Sequence, residues 1–101
     1  MKKIINGKMY NTETAKALCC WDNGFGCGDF QHAEETLYKK RTGEFFLFGE
    51  GGAMSKYAQP DGNGWCGGSE IEPLTEAEAR KWAEKKATAD EYIAIFGEVE
   101  E

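Results

Sequence analysis

The chain has 101 residues, of which 41% are hydrophobic and 30% charged, and its formal net charge is −6. This length predicts one domain over residues 1–101, and the composition is that of a globular protein rather than a disordered one. No apolar run approaches the roughly 18 residues that a membrane span needs, and the N-terminus lacks the apolar stretch of a secretory signal. We therefore expect a cytoplasmic protein with no membrane partner and with reduced thiols.

The negative charge is concentrated near the C-terminus. Residues 1–68 carry eight acids and eight bases, whereas residues 69–101 carry ten acids and four bases. Phosphate backbones repel such a surface, so the charge argues against a nucleic-acid-binding protein. It favours either a solvated helix that keeps the protein soluble or a surface that docks on a basic protein.

The first elements are predicted to be a hairpin followed by a helix. Asn6-Gly7 separates the short runs 3–5 and 8–10, and Asn-Gly between such runs is a strong signal for a two-residue turn. The segment 11–20 (NTETAKALCC) has Asn11 or Thr12 as a candidate N-cap, and its apolar residues follow the spacing of a helix face. The pattern predicts an N-terminal helix that ends near residue 21.

A second hairpin is predicted from residues 34–40 and 44–48, because the two runs flank a glycine-containing turn. The glycine-rich stretch 49–69 also contains tyrosine, tryptophan and cysteine, so we expect an ordered loop with one helical turn at 53–58. Ile71 is expected to open a further short strand that Pro73 ends.

Two helices are predicted at the C-terminus, over residues 74–86 and 91–96. Thr75 and Glu78 form a capping box for the first, and Gly97 is a stop signal for the second. Residues 98–101 are expected to fray. The predicted architecture is α+β: a small, mainly antiparallel sheet of two hairpins, packed with the N-terminal helix and the two C-terminal helices.

Four cysteines suggest a structural zinc site in this fold. Zn²⁺ takes about four thiolate or imidazole ligands in a tetrahedron. The candidate ligands are Cys19, Cys20, Cys27 and Cys66, with His32 as an alternative. The alternative interpretation is that Cys19 is a core residue and the other three are free thiols, because cysteine is a common small buried hydrophobe.

Other constellations are weaker. A nucleophilic pair of Cys27 with His32 rests on sequence spacing alone, so we do not expect an enzyme. The basic run Lys39-Lys40-Arg41 is typical of a solvated hairpin tip, with nucleic-acid contact as the minor interpretation. Five aromatic residues near the two glycine-rich loops form either a satellite core or a partner-binding patch. They are Trp21, Phe25, Phe30, Tyr57 and Trp65.

Three segments carry a resemblance to a known group of proteins: residues 4–16 (IINGKMYNTETAK), 28–58 and 72–97. They resemble small proteins of about 100 residues carried by prophages and conjugative elements of Gram-positive bacteria. In size and charge such proteins resemble anti-CRISPR proteins. The resemblance implies a monomeric inhibitor, without an active site, that binds a type II CRISPR effector nuclease and blocks DNA loading or cleavage.

Under this hypothesis the acidic C-terminal third docks on the basic groove that holds the guide–target heteroduplex. The expected partner-binding residues are Glu76, Glu84, Asp90, Glu91 and Glu98, with no direct contact to nucleic acid. Three other classes stay open. One is a zinc-containing adaptor or antirestriction protein aimed at another host defence. A second is a small nucleic-acid-binding module that uses Lys39, Lys40 and Arg41 with exposed aromatic residues. The third is an enzyme that uses Cys27 and His32, for which the sequence suggests no substrate.

Overall fold

The structure is a computed structural model that describes residues 1–26, 29–62 and 64–97. Within these residues, eight strands precede two helices. The elements are β1 (Lys2–Ile5), β2 (Lys8–Asn11), β3 (Lys16–Asp22), β4 (Ala33–Lys39), β5 (Phe45–Gly51), β6 (Gln59–Asp61), β7 (Gly64–Cys66), β8 (Gly68–Leu74), α1 (Glu76–Lys86) and α2 (Ala89–Phe96). No helix in these ranges is long and apolar enough to cross a membrane.

The central element is a four-stranded antiparallel sheet in the order β3-β4-β5-β8, accompanied by the two-stranded hairpins β1-β2 and β6-β7. Because side chains alternate along a strand, the sheet has two different faces. One face carries Cys19, Leu37, Phe45 and Leu47, which form a buried cluster with Ala79 of α1 and with side chains of α2. The other carries Phe46 and Ile71, which the β1-β2 hairpin covers with Tyr10.

The predicted N-terminal helix is wrong, because residues 16–22 form strand β3. Asn11 does cap a turn: its side chain accepts from the amide of Glu13 at 2.9 Å, and its carbonyl accepts from the amide of Ala15. That turn is not continued. A bulge between Ala17 and Cys19 lets the adjacent residues Leu18 and Cys19 both pack on the helix-covered core. The bulge interrupts the alternation of buried and exposed side chains that is expected of a strand. The apolar residues of this segment therefore have the spacing of a helix face.

Both predicted hairpins are confirmed. In the first, Ile4 pairs with Met9, and the turn residues Asn6 and Gly7 have φ values of 52° and 77°, as a type I′ turn requires. In the second, β4 pairs with β5 along its whole length. The segment 53–58 forms turns and no helix. Pro73 does not end the last strand but lies inside β8, which is tolerated because β8 is an edge strand.

The two C-terminal helices are observed with their caps. The capping box of Thr75 and Glu78 starts α1, as predicted, and a second capping box of Thr88 and Glu91 starts α2. Gly97 ends α2 with a φ of 92°. The helices meet where Arg80 lies over the ring of Phe96, 4.8 Å from its centroid.

A buried carboxylate joins the helices and the glycine-rich loop to the sheet. Glu35 in β4 is 1% exposed and accepts four hydrogen bonds. From α1, Trp82 donates to Oε1 at 3.0 Å and Lys86 also donates to Oε1. From the loop, Lys56 donates to Oε2 at 2.8 Å and Tyr57 donates its hydroxyl to the same oxygen. Burial raises the pKa of Glu35, but these donors outweigh it and lower the pKa to about 2.

The loop reaches Glu35 because the neighbouring strand carries a glycine. Gly49 in β5 is the cross-strand partner of Glu35, and the ring of Tyr57 lies directly over it. A Cβ atom on residue 49 would overlap the Tyr57 ring. Glycine is therefore required here by close approach, not by an unusual backbone angle.

We predict that Glu35→Gln lowers the free energy of unfolding at pH 7 by about 3 kcal/mol, because the variant leaves two lysines near an uncharged buried partner. The pKa of Glu35 is lower in the folded state than its ordinary value of 4.5, so its stabilisation is complete above that value and is lost as the pH falls toward 2. Urea unfolding between pH 7 and pH 2 should show the difference between wild type and variant shrinking over that interval. A constant difference would contradict this assignment.

We also predict that Gly49→Ala destabilises the protein by about 2 kcal/mol, because the added methyl group must displace the ring of Tyr57. Gly26→Ala is the matched control, since a Cβ atom there meets no atom within 4 Å and no positive φ is required. Urea unfolding of both variants at pH 7 tests this. Equal stabilities for the two variants would show that Tyr57 does not occupy this position.

Candidate functional site

The predicted zinc ligands are dispersed in the part of the chain that the structure describes. Cys19 is 8% exposed and belongs to the core, whereas its neighbour Cys20 is exposed. Cys66 lies in β7, half-buried. Cys27 lies outside the described residues. Burial, followed by the nearby Glu91 and Cys20, raises the pKa of Cys19 to about 11, so this thiol is protonated at neutral pH.

The alternative ligand His32 is buried and held by the backbone. Its Nδ1 lies 2.6 Å from the carbonyl oxygen of Phe25, so Nδ1 carries the proton and donates. Its Nε2 lies 3.7 Å from a carboxylate oxygen of Glu34. Over residues 1–26, 29–62 and 64–97, no three His, Cys, Asp or Glu side chains are grouped closely enough to hold a metal ion. A zinc site at these cysteines stays a prediction, and it requires Cys27.

A pair of carboxyl groups lies beside His32. Glu34 and Glu50 are cross-strand partners, 16 residues apart in sequence, on the face of the sheet opposite Glu35. A hydrogen bond with Glu34 and partial burial raise the pKa of Glu50, so Glu50 is protonated more readily than an isolated carboxyl. With His32 they line an open cavity of about 490 Å³. The sequence could have predicted this pair only if the strand register of the β4-β5 hairpin had also been predicted.

The predicted partner-binding acids are in different environments. Glu76 begins α1 and forms an ion pair with Arg80 at 3.5 Å. The carboxylate of Glu91 accepts from the amide of Thr88 and so closes a capping box. Glu98 lies outside the described residues. Glu84 and Asp90 are exposed. Of the four described acids, these two are therefore the ones whose carboxylates are not already used within the helices.

Glu84 and Asp90 lie at the junction of the two helices, where α2 turns back along α1. The groove between the helices has a volume of about 470 Å³. Glu84 is its acidic wall, and Ile93, which is 40% exposed, is its largest aliphatic side chain. The full lining is Ala83, Glu84, Ala87, Thr88, Ala89, Tyr92 and Ile93.

The groove is formed because Ala87 leaves the helical conformation, with a ψ of 159°, and Thr88 starts the next helix at once. Our sequence reasoning missed the groove, although two capping boxes 13 residues apart signal a tight helix–helix junction. The hydroxyl of Tyr92 accepts a hydrogen bond of 3.4 Å from Arg80, which fixes the spacing of the helices. An apolar floor with an acidic wall suits a partner segment that combines a basic and an apolar side chain.

The five aromatic residues are divided between the two interpretations. Tyr57 is buried as a core residue, and Trp21 is half-buried beneath the amine of Lys86, 3.9 Å from the ring centroid. The other three are exposed to between 43% and 67% of their surface: Phe25, Phe30 and Trp65.

We predict that the protein contains close to one zinc per chain, and that Cys66→Ser lowers both its metal content and its melting temperature, because structural zinc contributes directly to folding. Elemental analysis of untagged protein and thermal unfolding with and without a chelator provide the measurements. Metal-free protein with an unchanged melting temperature would contradict the zinc site.

Comparison of this chain with protein-family models, with curated proteins and with solved structures found no match. Arguments about its function therefore depend on its own residues and on the sequence resemblance given above.

Proposed function

We propose that this protein is an inhibitor encoded by a mobile genetic element, and that it acts by binding a type II CRISPR effector nuclease of its host. It has no active site of its own in this proposal. The groove between α1 and α2 is the docking site. The observation that carries the proposal is the position of Glu84, exposed in the wall of that apolar groove, with Asp90 exposed at the start of the adjoining helix.

The acidic charge of the groove is complementary to the positively charged channel of such a nuclease. An RNA-guided nuclease holds the backbone of its heteroduplex in a positively charged channel. An acidic protein that enters this channel is attracted by the basic side chains that otherwise bind phosphate groups. The same electrostatic field raises its rate of association. The exposed Ile93 would supply an apolar contact inside the interface, where charged residues are depleted.

The environment of Cys19 is unsuited to nucleophilic catalysis. The thiol of Cys19 is buried, and its raised pKa of about 11 keeps it protonated. A catalytic cysteine needs the opposite environment, an accessible thiol with a lowered pKa. The Nδ1–H of His32 donates a hydrogen bond to the backbone carbonyl of Phe25, and its Nε2 lies 3.7 Å from a carboxylate oxygen of Glu34.

We predict that the protein, added before DNA to a guide-loaded type II nuclease, stops target cleavage near a one-to-one ratio. The double variant Glu84→Lys/Asp90→Asn should need about tenfold more protein for half inhibition, which corresponds to ~1.4 kcal/mol of binding free energy. Inhibition by the wild type should also weaken as salt is raised.

The control is Glu72→Lys/Asp61→Asn, which changes the net charge by the same amount at two exposed positions that do not line the groove. This control should inhibit as the wild type does. If both double variants weaken equally, net charge rather than the groove is responsible. If the wild type leaves cleavage untouched at large excess across several such nucleases, the proposed function is wrong.

A further inference from the structure

Most of the basic residues of this chain lie in two segments that the fold brings together. Residues 1–16 and 38–45 contain seven Lys or Arg and two Glu, a net charge of +5, and the remaining residues carry −11. These two segments lie together because Lys16 at the start of β3 pairs with Lys39 at the end of β4. The β1-β2 hairpin joins them through Tyr10, which packs on Phe46. We call this region the basic end.

A groove crosses the basic end between the β2–β3 connection and the β4–β5 turn. It consists of two adjoining pockets of about 320 and 410 Å³, which share Thr14, Ala15, Lys40 and Arg41 as lining residues. Lys16 and Lys39 line one pocket, and Met9 and Asn11 line the other.

The cations of this groove have two kinds of environment. Lys40 is part of the fold: its amine lies 4.0 Å from the ring centroid of Tyr10 and 3.6 Å from a carboxylate oxygen of Glu44. In contrast, Lys16, Lys39 and Arg41 are exposed, and none of them forms an ion pair with a residue that the structure describes. The amine of Lys39 lies 5.5 Å from the ring centroid of Phe45, a contact that does not neutralise its charge. The groove therefore presents three cations with no carboxylate partner among the described residues.

The pairing of Lys16 with Lys39 places two positive charges side by side in the sheet. They are direct cross-strand partners in the antiparallel ladder of β3 and β4. Like charges in this arrangement repel and destabilise the sheet. The nearest register positions do not relieve the repulsion, since the next pair is Ala17 with Tyr38. An anion placed between the two amines would remove this cost, so the pair is better suited to binding than to stability.

We infer that the basic end binds the phosphate backbone of a duplex nucleic acid, with Lys16, Lys39 and Arg41 in contact with phosphate groups. The occupant is a duplex because no exposed aromatic ring lines either pocket among the described residues, and single strands are held largely by bases stacked on such rings. Arg and Lys on a hairpin tip and a strand end suit backbone contacts without base readout.

The net charge of −6 argues against nucleic-acid binding by the chain as a whole, whereas the basic end favours it. The net charge averages a basic end and an acidic remainder, and attraction to a phosphate backbone is set by the local field, because charges beyond about 10 Å are screened at moderate salt. The inferred site is also distant in the chain from the acidic groove between α1 and α2. It can be tested without any nuclease.

Fluorescence anisotropy with a labelled 20-base-pair DNA duplex, repeated at several salt concentrations, tests the inference. The wild type should bind at low salt, with an affinity that falls linearly on a log–log plot against salt concentration. Lys16→Gln/Lys39→Gln should bind at least tenfold more weakly, and its salt slope should be shallower by about two. Its thermal stability should equal or exceed that of the wild type, because a like-charge pair is removed.

The matched control is Lys81→Gln/Lys85→Gln, which removes the same charge from the exposed side of α1. This variant should bind the duplex as the wild type does. Absence of binding by the wild type at low salt would overturn the inference, and so would an equal loss in the control variant. Tighter binding of a single strand of the same length would overturn the assignment of a duplex.

Discussion

The carboxylate of Glu35 is the constraint on which most of this structure depends. A charged group that is 1% exposed is stable only when each of its lone pairs is satisfied, and here the donors come from two elements that the sheet alone would not hold. Trp82 and Lys86 bring the C-terminal half of α1 onto the sheet. Lys56 and Tyr57 bring the glycine-rich loop to the same point. Fixing α1 there also fixes the helix junction, and with it the groove that carries Glu84.

The two candidate binding surfaces lie at different places on the fold: the acidic groove lies between the helices, and the basic groove lies at the end of the sheet where Lys16 pairs with Lys39. The helices cover the face that bears Leu37 and Leu47, so the acidic groove is formed on the outside of that layer. The β1-β2 hairpin covers part of the opposite face through Tyr10, and its lysines extend the basic end. Under the proposed function the acidic surface would compete for the protein channel of the nuclease, and under the further inference the basic surface would contact a nucleic acid.

Sequence patterns predicted the local elements well and the interactions between distant elements poorly. Asn6-Gly7 and the Thr75–Glu78 capping box are short signals whose effect is confined to one turn, and both are observed. The helix predicted over residues 11–20 failed because a bulge at Leu18 gives a strand the apolar spacing of a helix. Nothing within that segment indicates the bulge, since it is defined by the pairing of β3 with β4.

The residues of the candidate sites also divide into those set by local sequence and those set by contacts between distant elements. The sequence by itself determined the hairpins, the helix caps and the acids that are exposed on the helices, because each depends on neighbouring residues. Only the tertiary structure decided that Glu35 collects four donors and that Glu34 lies against Glu50. It also decided that Lys16 joins the basic run at the β4–β5 turn. These contacts join residues 16 or more positions apart, and sheet register and chain packing, rather than local preference, bring such residues together.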